Sequence, residues 1–373
     1  MVKRIIISGG GTGGHIFPAI SIGNALQQAA PEVEILFVGA EGKMEMEKVP
    51  AAGYRIVGLP VVGIQRKVFS LKNLRVPVLL VRSLRHAAKI IRDFKPDAVV
   101  GVGGYASAPI LWKAQRHHIP TLIQEQNSYA GLTNKMLARR ADKVCVAYEG
   151  MERFFPKAKI IFSGNPVRQD LIGLQGNAQL KQEAKKFFGL APDKRTILII
   201  GGSLGARTIN RSVVQSFASI ESAQGVQLLW QTGKLYESSV KEAVVQHSTP
   251  LENLRFMPFI ARMDYAYAAA DLVISRAGAS SIAELCVACK PAILVPSPNV
   301  AEDHQTANAM ALVRKNAALM VPDAEATEAL LPLALKTVEE DDCLSQLSQN
   351  IGQLAIADAA SRIVNEILQL IKK

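Results

Sequence analysis

The sequence predicts an α/β protein made of two doubly wound, Rossmann-like domains. Three observations lead to this prediction. Short runs rich in β-branched residues alternate with longer amphipathic stretches, a glycine-rich turn follows the first run, and the whole pattern restarts near residue 196. Such alternation is typical of parallel sheets that are covered by helices on both faces. A chain of 373 residues is long enough for two domains of this kind.

Each element follows from the hydrophobic pattern in chain order. In the first half, a strand at 2–8 leads through glycines into a helix at 18–29. The other strands of that half are predicted at 33–38, 98–102, 121–124, 144–147 and 160–162. In the second half, strands are predicted at 196–200, 226–231, 254–256, 271–275 and 291–295, and helices at 207–220, 234–246, 263–269 and 279–289.

The restart of the pattern also predicts the domain organisation. We expect an N-terminal domain over 1–164 and a C-terminal domain over 165–345, joined near a Gly-Asn-Pro sequence. The final segment, 346–373, is amphipathic and is predicted to be a helix that packs back toward the N-terminal domain.

Charge and cysteine content narrow the function classes. Lys and Arg outnumber Asp and Glu by 43 to 32, and the net charge of +11 suits an anionic partner such as a nucleotide, a nucleic acid or a lipid surface. Aromatic residues make up only 6%, whereas a nucleic-acid binder would carry exposed aromatics among its basic residues. Cys286 and Cys289 form a lone CxxC without a second ligand pair, so we expect ordinary thiols.

The apolar runs of the sequence exclude a membrane span. The longest run without charge, 98–112, contains four Gly or Pro residues and is too short to cross a bilayer. The N-terminal apolar stretch is followed at once by glycines and predicts a first strand, not a signal peptide. Any membrane contact is therefore expected to be peripheral.

The first glycine-rich turn, 9–14, formally fits GxGxxG and ends at His15. Glycines there let backbone N–H groups approach a phosphate or a sugar, and Glu41 lies near the expected place of a ribose-binding acid. A helix N-terminus lowers the proton affinity of a histidine, so His15 is a candidate base. Two alternatives stay open: a turn that binds nothing, and a histidine that only hydrogen-bonds the loop.

Other polar segments follow predicted strands, where ligands of open α/β sheets bind. Residues 124–128 combine amides with a carboxylate and suggest recognition of sugar hydroxyls, or else a cap for the next helix. The second glycine-rich turn, 201–205, could hold a diphosphate or be a plain turn. Small residues at 275–283 open a helix to an anion, and Glu284 could reach an adjoining ribose. A polar loop at 302–308 then enters the next helix.

Together, these segments resemble the MurG family of UDP-N-acetylglucosamine transferases, in order and over nearly the whole chain. The matching motifs are GGGTGGH at 9–15, EQN at 125–127, GLTNK at 131–135, GNPVR at 164–168, GGSLGA at 201–206, SRAG at 275–278 and DHQ at 303–305. The resemblance implies a GT-B fold, in which two Rossmann-like domains face each other across a cleft. It also implies an inverting transfer of N-acetylglucosamine from UDP-GlcNAc to the C4 hydroxyl of undecaprenyl-pyrophosphoryl-MurNAc-pentapeptide, which converts lipid I to lipid II in peptidoglycan synthesis.

The resemblance also assigns roles to matching positions. His15 is the candidate catalytic base. The implied UDP-GlcNAc contacts are Thr12, Gly13, Gly14, Asn127, Arg168, Ser203, Ile260, Ala279, Ser280, Ser281, Ile282, Ala283, Glu284 and Gln305. Ile260 would read uracil through its backbone, Glu284 would hold the ribose, and Gln305 would hold sugar hydroxyls. Because no DxD motif occurs, we expect no metal and no other cofactor, with helix N-terminal N–H groups at the diphosphate instead.

A lipid-linked acceptor implies a surface that docks on a membrane. In 63–92, apolar residues interleave with basic ones, which suits an anionic bilayer, although a core-packed helix with a solvated basic face would read similarly. The residues predicted to contact membrane or acceptor are Phe69, Lys72, Leu74, Arg75, Leu79 and Arg82. We expect a peripheral protein at the cytoplasmic face of the inner membrane. Cell-wall or division proteins are further candidate partners, and no nucleic acid is expected.

Three other function classes stay open from the sequence. A dinucleotide-dependent oxidoreductase built on the first glycine-rich turn would leave the second turn and Glu284 unexplained. A UDP-GlcNAc 2-epimerase would share the expected architecture, but it has no need of a basic, apolar face at 63–92. A non-catalytic scaffold would not need the polar residues that follow the strands.

Overall fold

The computed structural model describes residues 2–61, 76–202, 204–300 and 303–372. The chain forms two compact units. Unit 1 comprises Met1–Val167 and Ile356–Lys373, and unit 2 comprises Arg168–Ala355.

Unit 1 contains a seven-stranded parallel sheet in the order β3-β2-β1-β4-β5-β6-β7. Its strands are β1 (Arg4–Ser8), β2 (Glu34–Ala40), β3 (Arg55–Leu59), β4 (Ala98–Gly101), β5 (Thr121–Glu125), β6 (Lys143–Val146) and β7 (Ile160–Phe162). Its first five helices are α1 (Gly13–Ala29), α2 (Glu45–Ala51), α3 (Val76–Phe94), α4 (Ala108–Arg116) and α5 (Leu132–Ala138). The central strand β1 is apolar over Ile5, Ile6 and Ile7 because helices cover both faces of the sheet.

Unit 2 repeats this plan with a six-stranded parallel sheet in the order β10-β9-β8-β11-β12-β13. Its strands are β8 (Arg195–Ile200), β9 (Val226–Gln231), β10 (Leu254–Met257), β11 (Leu272–Ser275), β12 (Ala292–Leu294) and β13 (Leu319–Met320). Its helices are α6 (Ala178–Phe187), α7 (Arg207–Gln215), α8 (Phe217–Ser222), α9 (Glu237–Gln246), α10 (Met263–Ala269), α11 (Ala279–Val287), α12 (His304–Val313), α13 (Ala326–Glu339) and α14 (Asp341–Gly352).

Strand order reverses once in each sheet, and this reversal locates the expected binding loops. In unit 1 it lies between β1 and β4, and in unit 2 between β8 and β11. The paired strands end together, since Ser8 is in register with Gly101 and Ile200 with Ser275. Ligands of doubly wound sheets bind at the carboxyl ends of strands beside such a reversal. Both glycine-rich turns follow a strand at this point.

The C-terminal segment differs from the predicted single helix over 346–373. Helix α14 ends at Gly352 within unit 2, and a separate helix, α15 (Ala359–Ile371), belongs to unit 1 and packs against α1. Ile356 precedes α15 and lies against Gly164, where a Cβ atom would approach the Ile356 Cβ to 2.8 Å. Both helices are amphipathic, and each buries its apolar stripe in a different unit. The sequence pattern therefore continues across the break and predicts a single helix.

The unit boundaries also differ from those predicted at 164/165 and 345/346. Residues 165–167 belong to unit 1, and 346–355 belong to unit 2. Asn165 explains the first difference. Its Oδ1 accepts a hydrogen bond from Gln124 Nε2 at 3.0 Å, and its Nδ2 donates to the Gln126 carbonyl at 2.9 Å. These bonds tie the residue to the end of β5.

The pattern missed the helices α2, α4, α6 and α13 and two edge strands, and it merged two further helices. The edge strands β3 and β13 were not predicted, because β3 is only partly buried and β13 has two residues. The single helix predicted over 207–220 is two helices, α7 and α8, with Ser216 between them. Ser216 ends α7 in a non-helical conformation.

We expect Ile367→Ala to destabilise unit 1 by about 2–5 kcal/mol, because Ile367 of α15 is fully buried and its loss leaves a cavity beside the main sheet. Gln369→Ala, on the exposed face of the same helix, is the matched control and should change stability by less than about 0.5 kcal/mol. Urea unfolding measures both variants. Equal effects would contradict the packing of α15 on unit 1.

Candidate functional site

The first glycine-rich turn connects β1 to α1 and places His15 in the first turn of that helix. Thr12 is the N-cap residue, and its Oγ1 lies 3.1 Å from His15 Nδ1. The loop after β4 approaches from the other side. Gly103 has a φ of +92°, and a Cβ atom there would come within 2.9 Å of His15 Cδ2. The imidazole is therefore fixed between a hydroxyl and a loop that only glycine can form.

A buried carboxylate fills the anion-binding part of this turn. Glu45, the first residue of α2, is fully buried. Its Oε1 accepts a hydrogen bond from the Ala40 N–H at 2.9 Å, and Gly11 N–H donates to Oε2 at 3.1 Å and to Oε1 at 3.2 Å. A dinucleotide pyrophosphate at Gly11 would face this negative charge, which disfavours the oxidoreductase alternative. Glu41, the expected ribose-binding acid, is exposed.

A second buried carboxylate organises the segment after β5. Glu125 Oε1 accepts hydrogen bonds from Asn127 N–H at 3.1 Å and Asn127 Nδ2 at 3.3 Å. Its Oε2 accepts from Gly131 N–H and from Asn134 Nδ2, both at 2.9 Å. Four donors satisfy a carboxylate without a cation. Glu125 therefore holds Asn127, a predicted donor contact, at the carboxyl end of the sheet.

In unit 2, the second glycine-rich turn is tied to two neighbouring loops. Gln231, the last residue of β9, donates from Nε2 to the Gly202 carbonyl at 3.0 Å. Its Oε1 accepts from Ile260 N–H at 2.8 Å. Ile260 is buried and its N–H already donates to Gln231, so any backbone contact with a base would involve its carbonyl. Ser203 lies outside the described residues.

Helix α11 begins at Ala279 after the N-cap residue Gly278, which has no side chain to cap the helix, and helix N-termini of this kind favour anions. Ser280, Ser281 and Ala283 are half-buried in its first turns, whereas Ile282 packs into the core. Any contact of Ile282 with a ligand would therefore involve its backbone.

Glu284 of α11 forms a cluster with Tyr267 and Arg168. The Tyr267 hydroxyl donates to Glu284 Oε2 at 3.1 Å, and Arg168 Nε lies 3.5 Å from Oε1. Burial raises the pKa of Glu284, while Arg168 and the Tyr267 hydrogen bond lower it by less. Burial also raises the pKa of Tyr267. Arg168 Nε and Nη2 are buried and find no hydrogen-bond partner among the described residues. Arg168 Nε thus faces the carboxylates of Glu284 and Asp170, at 3.5 and 3.8 Å, without a hydrogen bond to either.

The loop after β12 leads into α12, where Asp303 is the N-cap residue in the left-handed region with a φ of +50°. Gln305 Oε1 accepts from Ser297 N–H at 2.9 Å, which fixes its amide. Arg276 Nη1 donates to the carbonyls of Val295 and Pro296 at 3.1 Å and holds the start of the same loop.

Helix α3 carries part of the predicted membrane face. Val78 is 70% exposed, and Leu80, Val81 and Arg82 are also exposed, whereas Leu79 is half-buried. Phe69, Lys72, Leu74 and Arg75 lie outside the described residues. In the part of the chain that is described, no helix is long and apolar enough to cross a membrane.

The predicted site residues fall into two groups, at the carboxyl ends of two sheets. Unit 1 holds Thr12, Gly13, Gly14, His15 and Asn127; unit 2 holds Arg168, Ile260, residues 279–284 and Gln305. Sequence reasoning missed Glu45, Gln231 and Tyr267. A tyrosine among the alanines of α10 was a weak signal for Tyr267. Nothing in the pattern indicated Glu45. Within the described ranges, no group of His, Cys, Asp or Glu could hold a metal ion.

We expect Glu284→Gln to stabilise the protein more at about pH 8 than at about pH 5. Since burial raises the pKa of Glu284, the folded state loses stability as the pH rises through that raised pKa. Gln keeps the shape, can accept from Tyr267 and carries no charge. Thermal unfolding at both pH values measures the difference. The exposed Glu183→Gln is the control, and an equal gain for Glu284→Gln at both pH values would contradict the assignment.

Comparisons with known proteins agree with this geometry. The glycosyltransferase family 28 N-terminal domain matches residues 5–146, and the family 28 C-terminal domain matches 196–363. The chain is 60% identical, over 99% of both chains, to a Parabacteroides distasonis protein named UDP-N-acetylglucosamine–N-acetylmuramyl-(pentapeptide) pyrophosphoryl-undecaprenol N-acetylglucosamine transferase.

Solved structures support the same assignment. The crystal structure of Acinetobacter baumannii MurG matches with a TM-score of 0.74 at 28% identity and covers 98% of this chain and 99% of that one. UDP-GlcNAc 2-epimerase from Neisseria meningitidis matches with a TM-score of 0.66 at 14% identity, which shows a common fold alone. It covers 98% of this chain and all of that one. The predicted GT-B fold class is confirmed, and the chain belongs to the MurG family of glycosyltransferases.

Proposed function

We propose that this chain transfers N-acetylglucosamine from UDP-GlcNAc to the C4 hydroxyl of undecaprenyl-pyrophosphoryl-MurNAc-pentapeptide, the conversion of lipid I to lipid II. The observation that carries the proposal is the 60% identity, over 99% of the chain, to a protein named for this transfer. The residues at the ends of both sheets supply the chemistry that such a transfer needs.

The proposed step is a single displacement. The acceptor C4 oxygen attacks the anomeric carbon of the donor, the bond to the diphosphate breaks, and a β-1,4 bond forms with inversion. His15 takes the proton of the attacking hydroxyl, and UDP leaves with the electron pair. The contact between His15 Nδ1 and Thr12 Oγ1 supports this role, because a hydrogen-bond partner on one ring nitrogen orients the imidazole.

Unit 2 supplies the donor site in this proposal. Glu284 accepts from the ribose hydroxyls, and the open N-terminus of α11 faces the diphosphate. The Arg168 side chain, which is 32% exposed, adds a positive charge beside Glu284 that favours an anionic ligand. These groups offer stabilisation of the leaving diphosphate by protein N–H donors, so we propose a reaction that needs no metal.

The acceptor is a membrane lipid, so the proposal includes peripheral binding to an anionic bilayer from the cytoplasmic side. Support comes from α3, where Val78, Leu80 and Val81 are exposed beside Arg82 and Arg85. Apolar side chains can enter the headgroup region while arginines meet anionic lipids. We also propose that the chain binds cell-wall or division proteins; no surface for them is assigned among the described residues.

We expect His15→Ala to lower kcat by about 10²–10⁴-fold with little change in the affinity for UDP, because general base catalysis contributes in that range. Glu284→Ala should instead weaken donor binding. The assay measures UDP release and disaccharide formation from UDP-GlcNAc with a short-chain lipid-linked MurNAc-pentapeptide, in the presence of a chelator.

The exposed His117→Ala serves as the control and should retain full activity. Release of UDP or isomerisation of the sugar without acceptor would favour an epimerase over a transferase. Loss of turnover in chelator would overturn the metal-free reaction but not the transfer itself.

We expect the double substitution Arg82→Ala with Arg85→Ala to weaken binding to phosphatidylglycerol-containing vesicles by about 30-fold, since each basic residue near an anionic surface contributes about 1 kcal/mol. Lys186→Ala with Lys241→Ala removes the same charge from exposed positions of unit 2 and is the matched control. Vesicle sedimentation measures both. Equal losses for the two pairs would show that net charge, and not the α3 face, drives binding.

A further inference from the structure

We propose that Tyr267 is a positioning residue that holds the Glu284 carboxylate for the ribose of a uridine diphosphate ligand. This inference rests on the proposed role of Glu284 in donor binding. It adds a residue that no motif of the sequence indicated, and it explains why a tyrosine occupies the interior of α10.

The environment of Tyr267 points to a hydrogen-bonding role. Its side chain is 0% exposed, and the other buried residues of α10 are alanines, namely Ala266, Ala268 and Ala269. A buried hydroxyl is costly without a partner, and phenylalanine would fill the same space without that cost. The acceptor that the structure gives this hydroxyl is Glu284 Oε2, at 3.1 Å.

The position of Glu284 makes the contact useful to a ligand. Its side chain keeps 20% exposure, so the carboxylate can be reached from outside. Oε2 is held by Tyr267 and Oε1 faces Arg168 Nε at 3.5 Å, so both ends of the carboxylate are oriented. A carboxylate oxygen can accept more than one hydrogen bond, so each oxygen can still accept from a hydroxyl of a ribose cis-diol.

Orientation before binding strengthens binding, because a flexible glutamate would otherwise lose its rotamer freedom when the ligand arrives. Glu45 and Glu125 are fixed mainly by backbone and amide N–H groups of their own loops. Glu284 has no such backbone donor among the described contacts and relies on two side chains instead. Removing the Tyr267 hydroxyl therefore removes the hydrogen bond that orients Glu284 Oε2.

Tyr267 also affects the charge of Glu284. The groups that face this carboxylate are Arg168, Asp170 and Tyr267. Burial and Asp170 raise the pKa of Glu284, whereas Arg168 and the Tyr267 hydrogen bond lower it. Loss of the hydroxyl is thus expected to raise this pKa further, so that a larger fraction of Glu284 is protonated at the acidic end of the working range.

The test compares Tyr267→Phe with the wild type in two ligands, UDP and 2′,3′-dideoxy-UDP, by isothermal titration calorimetry over a range of pH. We expect Tyr267→Phe to weaken UDP binding by roughly fivefold to tenfold, the order of one lost hydrogen bond to a charged group. It should leave the binding of the dideoxy ligand nearly unchanged. The acidic limb of the UDP affinity profile should move to higher pH, and in kinetics the loss should fall on KM for the donor.

Two further variants make the result specific. Tyr265→Phe removes a hydroxyl two residues away, beside Arg262, and should bind both ligands as the wild type does. In a Glu284→Gln background, Tyr267→Phe should have less effect on UDP binding than it has alone. The measured quantity is the ratio of the affinities for UDP and for the dideoxy ligand in the same protein. A general loss of folded protein affects both affinities alike and leaves this ratio unchanged.

Equal losses for UDP and the dideoxy ligand, or no loss for either, would overturn the role of Tyr267. If the wild type itself bound both ligands equally, the ribose role of Glu284 would fail and this inference with it. The transfer assay with the lipid-linked acceptor is separate from these titrations. Its failure would refute the proposed function even if the titrations behaved as expected.

Discussion

A buried carboxylate must be hydrogen-bonded, and the loops at the ends of both sheets depend on this requirement. Glu45 holds the first glycine-rich turn through Gly11 N–H, and Glu125 holds the segment from Asn127 to Asn134. In unit 2, Glu284 joins α10 to α11 through Tyr267. Parallel sheets with both faces covered leave room for polar groups mainly at the strand ends, so the three acids lie where ligands of such folds bind.

The three carboxylates differ in what satisfies them, and this difference separates structural from functional roles. Glu45 and Glu125 accept hydrogen bonds from N–H groups of their own unit, which ties them to the loops that they shape. Glu284 keeps partial exposure and stands beside Arg168, whose buried Nε and Nη2 find no hydrogen-bond partner among the residues that the structure describes. An acid and a cation that are both incompletely satisfied are the groups that gain most from a polar ligand such as a nucleoside diphosphate.

The hydrogen bond from Gly11 to Glu45 also explains why a GxGxxG match misleads here. In a dinucleotide-binding turn, the backbone N–H groups meet a pyrophosphate. In this chain Gly11 N–H donates to the Glu45 carboxylate, and Thr12 contacts His15 at the end of the same turn. In the proposed function, anion binding falls instead to the N-terminus of α11 and to Arg168 in unit 2.

The sequence by itself determined the two parallel-sheet units, the order of most elements and the family, because periodicity and ordered motifs are local properties of the chain. It did not determine the break between α14 and α15 or the unit to which 165–167 belong, since one amphipathic pattern serves helices that pack in different units. Nor could it pair Tyr267 with Glu284, or Glu45 with Gly11. These contacts join residues 17 and 34 positions apart, and only the packing of the sheets and helices brings them within hydrogen-bonding distance.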